Sequence, residues 1–193
     1  VWDDATCSPY ETYWPHTEIA GNALEETIAG ECATFTITTR DKCGRKRTSG
    51  GDEIRVKIVG PLHLHYQVLE FTVGDNNIKD NGDGSYTVHY KQTISGYYYI
   101  SIYGGDALLA EHKPFVHPAA IDLSNSFVYD DADDFLMDAD ELAHTQAGVP
   151  NTFLIQAVDR FGNLITTGGE DVEAIDVLFE GPYTLHGTVR DLG

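Results

Sequence analysis

The stretch IKDNGDGSYTVHY, Ile78 to Tyr90, passes from a cluster of Asp, Asn and Gly directly into strict alternation of polar and apolar residues. Asp and Asn oxygens beside Gly are the raw material of a calcium loop, so that reading is tested first. An EF-hand loop needs oxygen ligands at its first, third and fifth positions, Gly at the sixth and a bidentate Glu at the twelfth. With Gly84 sixth, Lys79 falls first and Tyr90 twelfth; with Gly82 sixth, Lys79 falls third and Val88 twelfth. Neither register supplies the ligands. Asn-Gly and Asp-Gly do supply the positive φ angles of tight turns. The stretch therefore reads as a turn that launches a strand, with Tyr86, Val88 and Tyr90 on one face.

Working outward, the same pattern recurs. Ala33, Phe35 and Ile37 alternate with Thr34, Thr36 and Thr38; Ile54, Val56 and Ile58 alternate with Arg55 and Lys57; Tyr98, Ile100 and Ile102 follow Ser95-Gly96. Short alternating runs rich in Val, Ile, Thr and Tyr, with no helical stripe, predict an all-β chain built as antiparallel sandwiches. The chain also repeats itself. AGECATFTITTRDKCGRKRTSGGD from Ala29 lies over AGVPNTFLIQAVDRFGNLITTGGE from Ala147 at an offset of 118 residues. Phe35 falls on Phe153, Asp41 on Asp159, Gly44 on Gly162, and Leu24 on Leu142. After a three-residue insertion, IRVKIVGP (Ile54 to Pro61) matches IDVLFEGP (Ile175 to Pro182). The expected organisation is one module over residues 1–117, with an aromatic lead-in, and a second over 118–193. The second is partial: Ile78 to Gly82 corresponds to Val189 to Gly193, the end of the sequence. Either continuation of the polypeptide or strands from a neighbouring chain would complete it.

Composition narrows the function. The 193 residues hold 31 acidic and 12 basic side chains, a net charge of −19. Nucleic acid is excluded as a partner, since phosphate binding needs concentrated positive charge and the one basic run is RDKCGRKR. No apolar run reaches the ~18 residues of a membrane span, so no direct membrane insertion is expected in this segment. VWDDATC does not resemble a signal peptide, and a start without Met fits a processed product or a piece of a longer chain. The absence of any N-x-Ser/Thr site argues against a heavily N-glycosylated ectodomain, whereas six Lys and Met137 as the sole Met are a lean composition for a cytosolic protein. No nucleophile elbow, P-loop, dinucleotide motif or HExxH is present, so no enzyme and no cofactor are expected.

With AGE-x3-F-x-I-x2-RD-x2-G, GGD, an alternating strand ending in GP, DNGDGSYTVHY, SGYYYISIYGG and KPF in this order, the chain resembles the filamin-type immunoglobulin-like repeat from Ala20 to His117, and again through the second copy. Two departures stand out: His112-Lys113-Pro114 where the family usually has Gly-Ser-Pro, and about ten extra residues between Pro61 and Asp80, within LHLHYQVLEFTVGDNN. The resemblance implies sandwiches of about seven strands, used as spacers in rods and as docking surfaces. It also implies that partner peptides add beside the third strand, here Ile54, Val56 and Ile58 in the first copy and Ile175, Val177 and Phe179 in the second. The opposing reading is a neighbouring loop that covers this edge.

Other features have bland readings beside sharper ones. His63 and His65 share a strand face but lack a third metal ligand nearby, so no metal is expected. The run Asp130 to Glu141 reads as a solvated acidic linker or a first strand held down by Phe135, Leu136 and Met137, rather than a cation site. Trp2, Tyr10, Tyr13 and Trp14 form an aromatic lead-in expected to pack rather than bind. Cys7, Cys32 and Cys43 are too few for a disulfide framework and lack zinc spacing; three thiols, or one bridge as Cys7–Cys43 or Cys32–Cys43, stay open. The cations around Cys43 would lower a thiol pKa, whereas Phe161 at the matching position of the second copy argues for a structural anchor. The sequence therefore points to a non-enzymatic structural or adhesion module that contacts protein partners, or copies of itself in a filament or array. An extracellular or cell-surface setting is preferred, with a cytosolic cytoskeletal scaffold as the alternative.

Overall fold

The computed structural model describes residues 7–8, 10–61, 67–129, 150–168, 175–180 and 183–192. His63, His65, Trp2 and the acidic run 130–141 lie outside them. The chain forms two compact units, residues 1–117 and 118–193.

The first unit contains β1 (Glu18–Ala20), β2 (Glu26–Ile28), β3 (Ala33–Thr38), β4 (Ile54–Gly60), β5 (Gln67–Thr72), β6 (Ile78–Asp80), β7 (Ser85–Tyr90), β8 (Gly96–Tyr97), β9 (Tyr99–Gly104), β10 (Ala107–His112) and β11 (Phe115–His117). Two four-stranded sheets, β1-β3-β7-β6 and β10-β9-β4-β5, face each other, and β2-β11-β8 closes one end. The alternation seen in the sequence becomes the two faces of each sheet. Phe35, Ile37, Tyr86 and Val88 from one sheet and Ile54, Val56, Ile58, Ile100 and Ile102 from the other are at most 1% exposed. Burial of a side chain of this size stabilises by roughly 1.5–3 kcal/mol, so these rows carry most of the sandwich.

The buried tyrosines anchor their hydroxyls. Tyr90 donates to the Ala23 carbonyl, Tyr98 donates to the Ile94 carbonyl at 2.9 Å, and Tyr86 accepts from Asp52 N–H and donates to Asp52 Oδ2, each at 2.8 Å. Burial pushes the Tyr90 and Tyr98 hydroxyls up to about 12 and the Tyr86 hydroxyl further still, with the Asp52 carboxylate adding to it.

The DNGDG segment is a turn. Gly82 and Gly84 have φ of 77° and 81°, and the carboxylates are taken by protein donors. Asp80 Oδ1 accepts from Gly82 N–H and Oδ2 from Gly51 N–H, both at 2.8 Å. Asp83 Oδ1 accepts from Ser85 N–H at 3.0 Å and Oδ2 from Lys46 Nζ at 2.7 Å. The Lys46 ammonium and the two Ser85 donors hold Asp83 at about 2, well below the usual carboxylate range.

The second unit repeats the opening half of this design with β12 (Phe127–Tyr129), β13 (Leu154–Gln156), β14 (Leu178–Phe179) and β15 (Leu185–His186). β12 pairs with β13 as β1 does with β3, and β14 with β15 as β4 does with β5. The described residues hold no counterpart of β7, β9 or β10, so the second sandwich is partial. Its inward side chains, among them Phe153, Ile155, Ile175, Val177 and Phe179, line a cavity of about 370 Å³.

Candidate interaction edge of the first unit

The third strand is not an edge. β4 pairs with β9 on one side and with β5 on the other. The Val73 N–H donates to the Ile54 carbonyl at 3.2 Å, and the Gly105 N–H to the Glu53 carbonyl at 2.8 Å. Because backbone groups alternate sides along an antiparallel pair, Ile54, Val56 and Ile58 turn their N–H and C=O groups to β5, and Arg55, Lys57 and Val59 turn theirs to β9. The three residues expected to receive a partner strand are thus engaged within the chain, and their side chains are core. The extra residues after Pro61 supply the strand that covers them, so the edge of this sheet moves outward to β5. In the second unit Ile175 and Val177 are half-buried and Phe179 is 38% exposed. Phe179 meets the Phe153 ring at 6.3 Å between centroids, and β14 is paired with β15.

β5 reads QVLEFT, a stretch rich in strand formers and bounded by turn residues. By the same alternation Leu69 and Phe71 bond to β4, while Val68 and Glu70 present N–H and C=O outward. At the end of the edge, Thr72 N–H donates to Asp75 Oδ2 at 2.8 Å, closing the turn. On the outer face Val68 is 56% exposed. Beside it Arg55 donates to Glu70 Oε1 at 2.9 Å, with its guanidinium 4.2 Å over the Tyr103 ring. Leu69 and Phe71 lie on the inward face, half-buried at the mouth between the two sheets. The Lys113 ammonium, from the His-Lys-Pro departure, sits 4.5 Å over the exposed Tyr97 ring.

At the other end of the unit the lead-in is fastened down. Cys7 pairs with Cys43 in a disulfide, which chooses between the pairings left open, and Cys32 is free and exposed. Arg45 reaches the Cys7 carbonyl at 3.2 Å. Arg47, 8% exposed in its side chain, forms a buried ion pair with Asp52 and donates to Thr12 Oγ1 at 2.7 Å. Nothing in the spacing of Arg47 and Asp52 marks them as a pair, since both lie in a polar loop. Trp14 packs against Gly104, where an added Cβ would lie 2.2 Å from the indole, so this ring of the lead-in packs on its own unit. Tyr10, at 77%, and Tyr13, at 38%, are exposed. Phe161, aligned with Cys43, lies at the surface beneath the Arg160 guanidinium, 4.7 Å from its ring centroid, rather than anchoring a core.

Comparison with known proteins agrees with this architecture. Residues 15–116 match the family model described as Filamin/ABP280 repeat. E3 ubiquitin-protein ligase TRIM71 of Rattus norvegicus is 28% identical over 88 residues, 46% of this chain and 9% of that protein. The same protein of Xenopus tropicalis is 30% identical over 86 residues, 45% of this chain and 10% of that one. The chain thus spans about a tenth of the length of these relatives. Among solved structures, the bacterial integrin-binding protein invasin aligns with a TM-score of 0.54 at 15% identity, covering 90% of this chain and 34% of that one. The Escherichia coli adhesin FdeC aligns with a TM-score of 0.51 at 15% identity, covering 81% of this chain and 44% of that one. At these identities the structural matches speak for the fold.

Proposed function

Because the chain belongs to the filamin-repeat family, we propose that it is a non-enzymatic structural and adhesion module, part of a multi-module rod or surface filament whose task is contact with other proteins, in an extracellular or cell-surface setting. The observation that carries the setting is the Cys7–Cys43 bridge. Disulfides form and persist in oxidising compartments and are rare in the cytosol. This one is built into the fold, since Arg45, Arg47 and Asp52 hold the same lead-in against the same loop. The sandwich core is filled with side chains, and buried Asp52 is taken by Arg47, Thr39 and Tyr86, as befits a scaffold.

The alternative, a cytosolic scaffold, draws on Cys32, a free exposed thiol that oxidising surroundings would not favour. The deciding experiment is intact mass of the protein purified from its source, alkylated with and without prior reduction. One alkylated thiol before reduction and three after it support the surface setting. Three alkylated thiols without reduction move the assignment to the cytosolic scaffold.

A further inference from the structure

A sheet edge is a template for another strand, and proteins normally blunt such edges by keeping them short, bulged, charged or covered. Among the described residues, the edges of the first unit follow that rule with one exception. β1 and β6 are three residues each. In the closing sheet β2 has three residues and β8 two. β10 is longer but carries a register break between Leu108 and Ala110 and meets the Trp14–His16 turn. β5 has six residues in unbroken register with β4, no Pro, no Lys and no bulge. Its outward backbone groups, on Val68 and Glu70, belong to residues that are exposed. Leu69 and Phe71 stand half-buried at the mouth of the sandwich, ready to be covered.

Charge selects the occupant. Asp75 and Glu70, the latter shared with Arg55 at 2.9 Å, lie exposed along this edge, and the whole chain carries −19. A second copy would bring the same charge to the same place, and a large net charge of one sign opposes self-association. A cationic extended segment gains from both terms.

We propose that β5 is a strand-acceptor edge that takes an extended, cationic segment of another protein, hydrogen-bonded to Val68 and Glu70. The incoming strand lays apolar residues over Leu69 and Phe71 and directs its basic residues toward Glu70 and Asp75. This rests on the reading of the chain as a protein-interaction module, and it places the contact one strand outward from β4.

The test uses the full chain, isotopically labelled, titrated with a capped octapeptide of alternating valine and lysine, and with its valine–glutamate counterpart as control. The expected result is saturable binding of the basic peptide alone, with the Val68 and Glu70 amides slowing in hydrogen exchange by at least about tenfold. Val68→Pro removes an outward N–H and no ladder bond, as edge positions tolerate, and should abolish binding. Glu70→Lys, which leaves the backbone intact, should weaken binding by about threefold, the scale of one exposed charge pair. Equal binding of both peptides, unchanged binding by Val68→Pro, or self-association of the chain that Val68→Pro abolishes would overturn the proposal. None of these outcomes bears on the disulfide, so the reading as a surface module stands or falls separately on the alkylation experiment.

Discussion

Single residues in this molecule repeat their tasks across the two copies, which is why the repeat is legible at all. Asp41 and Asp159 are the hubs of matching loops. Asp41 Oδ1 accepts from the N–H groups of Cys43 and Arg45, both at 2.9 Å. Asp159 Oδ1 accepts from those of Phe161 and Asn163 at 2.8 and 2.9 Å. Burial pushes both carboxyls up, but the donors around them outweigh it and hold both below the usual range. A lowered folded pKa contributes stability above the unfolded value, lost as pH falls through the folded one. Asp41→Asn should therefore lower the urea midpoint at neutral pH and lose that deficit on acidification below about 3.8, its ordinary value; a deficit constant with pH would deny the charge a role. The glycines of the DNGDG turn separate two costs. Gly82→Ala meets open space at φ +77° and should cost about 1 kcal/mol. Gly84→Ala adds a Cβ 2.4 Å from the Arg47 carbonyl oxygen and should cost roughly 3 kcal/mol or more. Equal effects in denaturant unfolding would contradict the close approach.

At the scale of elements, the strands with buried alternation are the ones that sequence reveals. β3, β4, β7 and β9 announce themselves because one face must be apolar. β5 does not, although QVLEFT has the composition of a strand, because both of its faces are partly exposed and its alternation is weak. The family pattern also offers no template for the residues between Pro61 and Asp80. That is how Ile54, Val56 and Ile58 come to look like an edge when they are interior. The lead-in is hidden for a different reason: its fastening is tertiary, by a bridge and an ion pair to a loop, and periodicity carries no trace of such contacts. With 36 residues separating Cys7 from Cys43, reduction should lower the stability of the first unit by about 3–4 kcal/mol. Thermal unfolding with and without reductant measures this, and an unchanged midpoint would mean that the arginine contacts alone hold the segment.

For the molecule as a whole, two units share one plan, and the extra residues of the first lengthen its covering strand, six residues in β5 against two in β15. Both units return the strand after their Gly-Pro onto the third strand. The covered third strand is thus a property of the design. The central claim is that the interaction edge lies on β5. Residue-resolved amide exchange of the free chain tests it most directly. The account predicts that the amides of Ile54, Val56 and Ile58 exchange slowly together with those of Leu69, Phe71 and Val73, while Val68 and Glu70, between them in sequence, exchange fast. Fast exchange at Ile54, Val56 and Ile58, on a par with Val68 and Glu70, would return the open edge to the third strand and contradict the account.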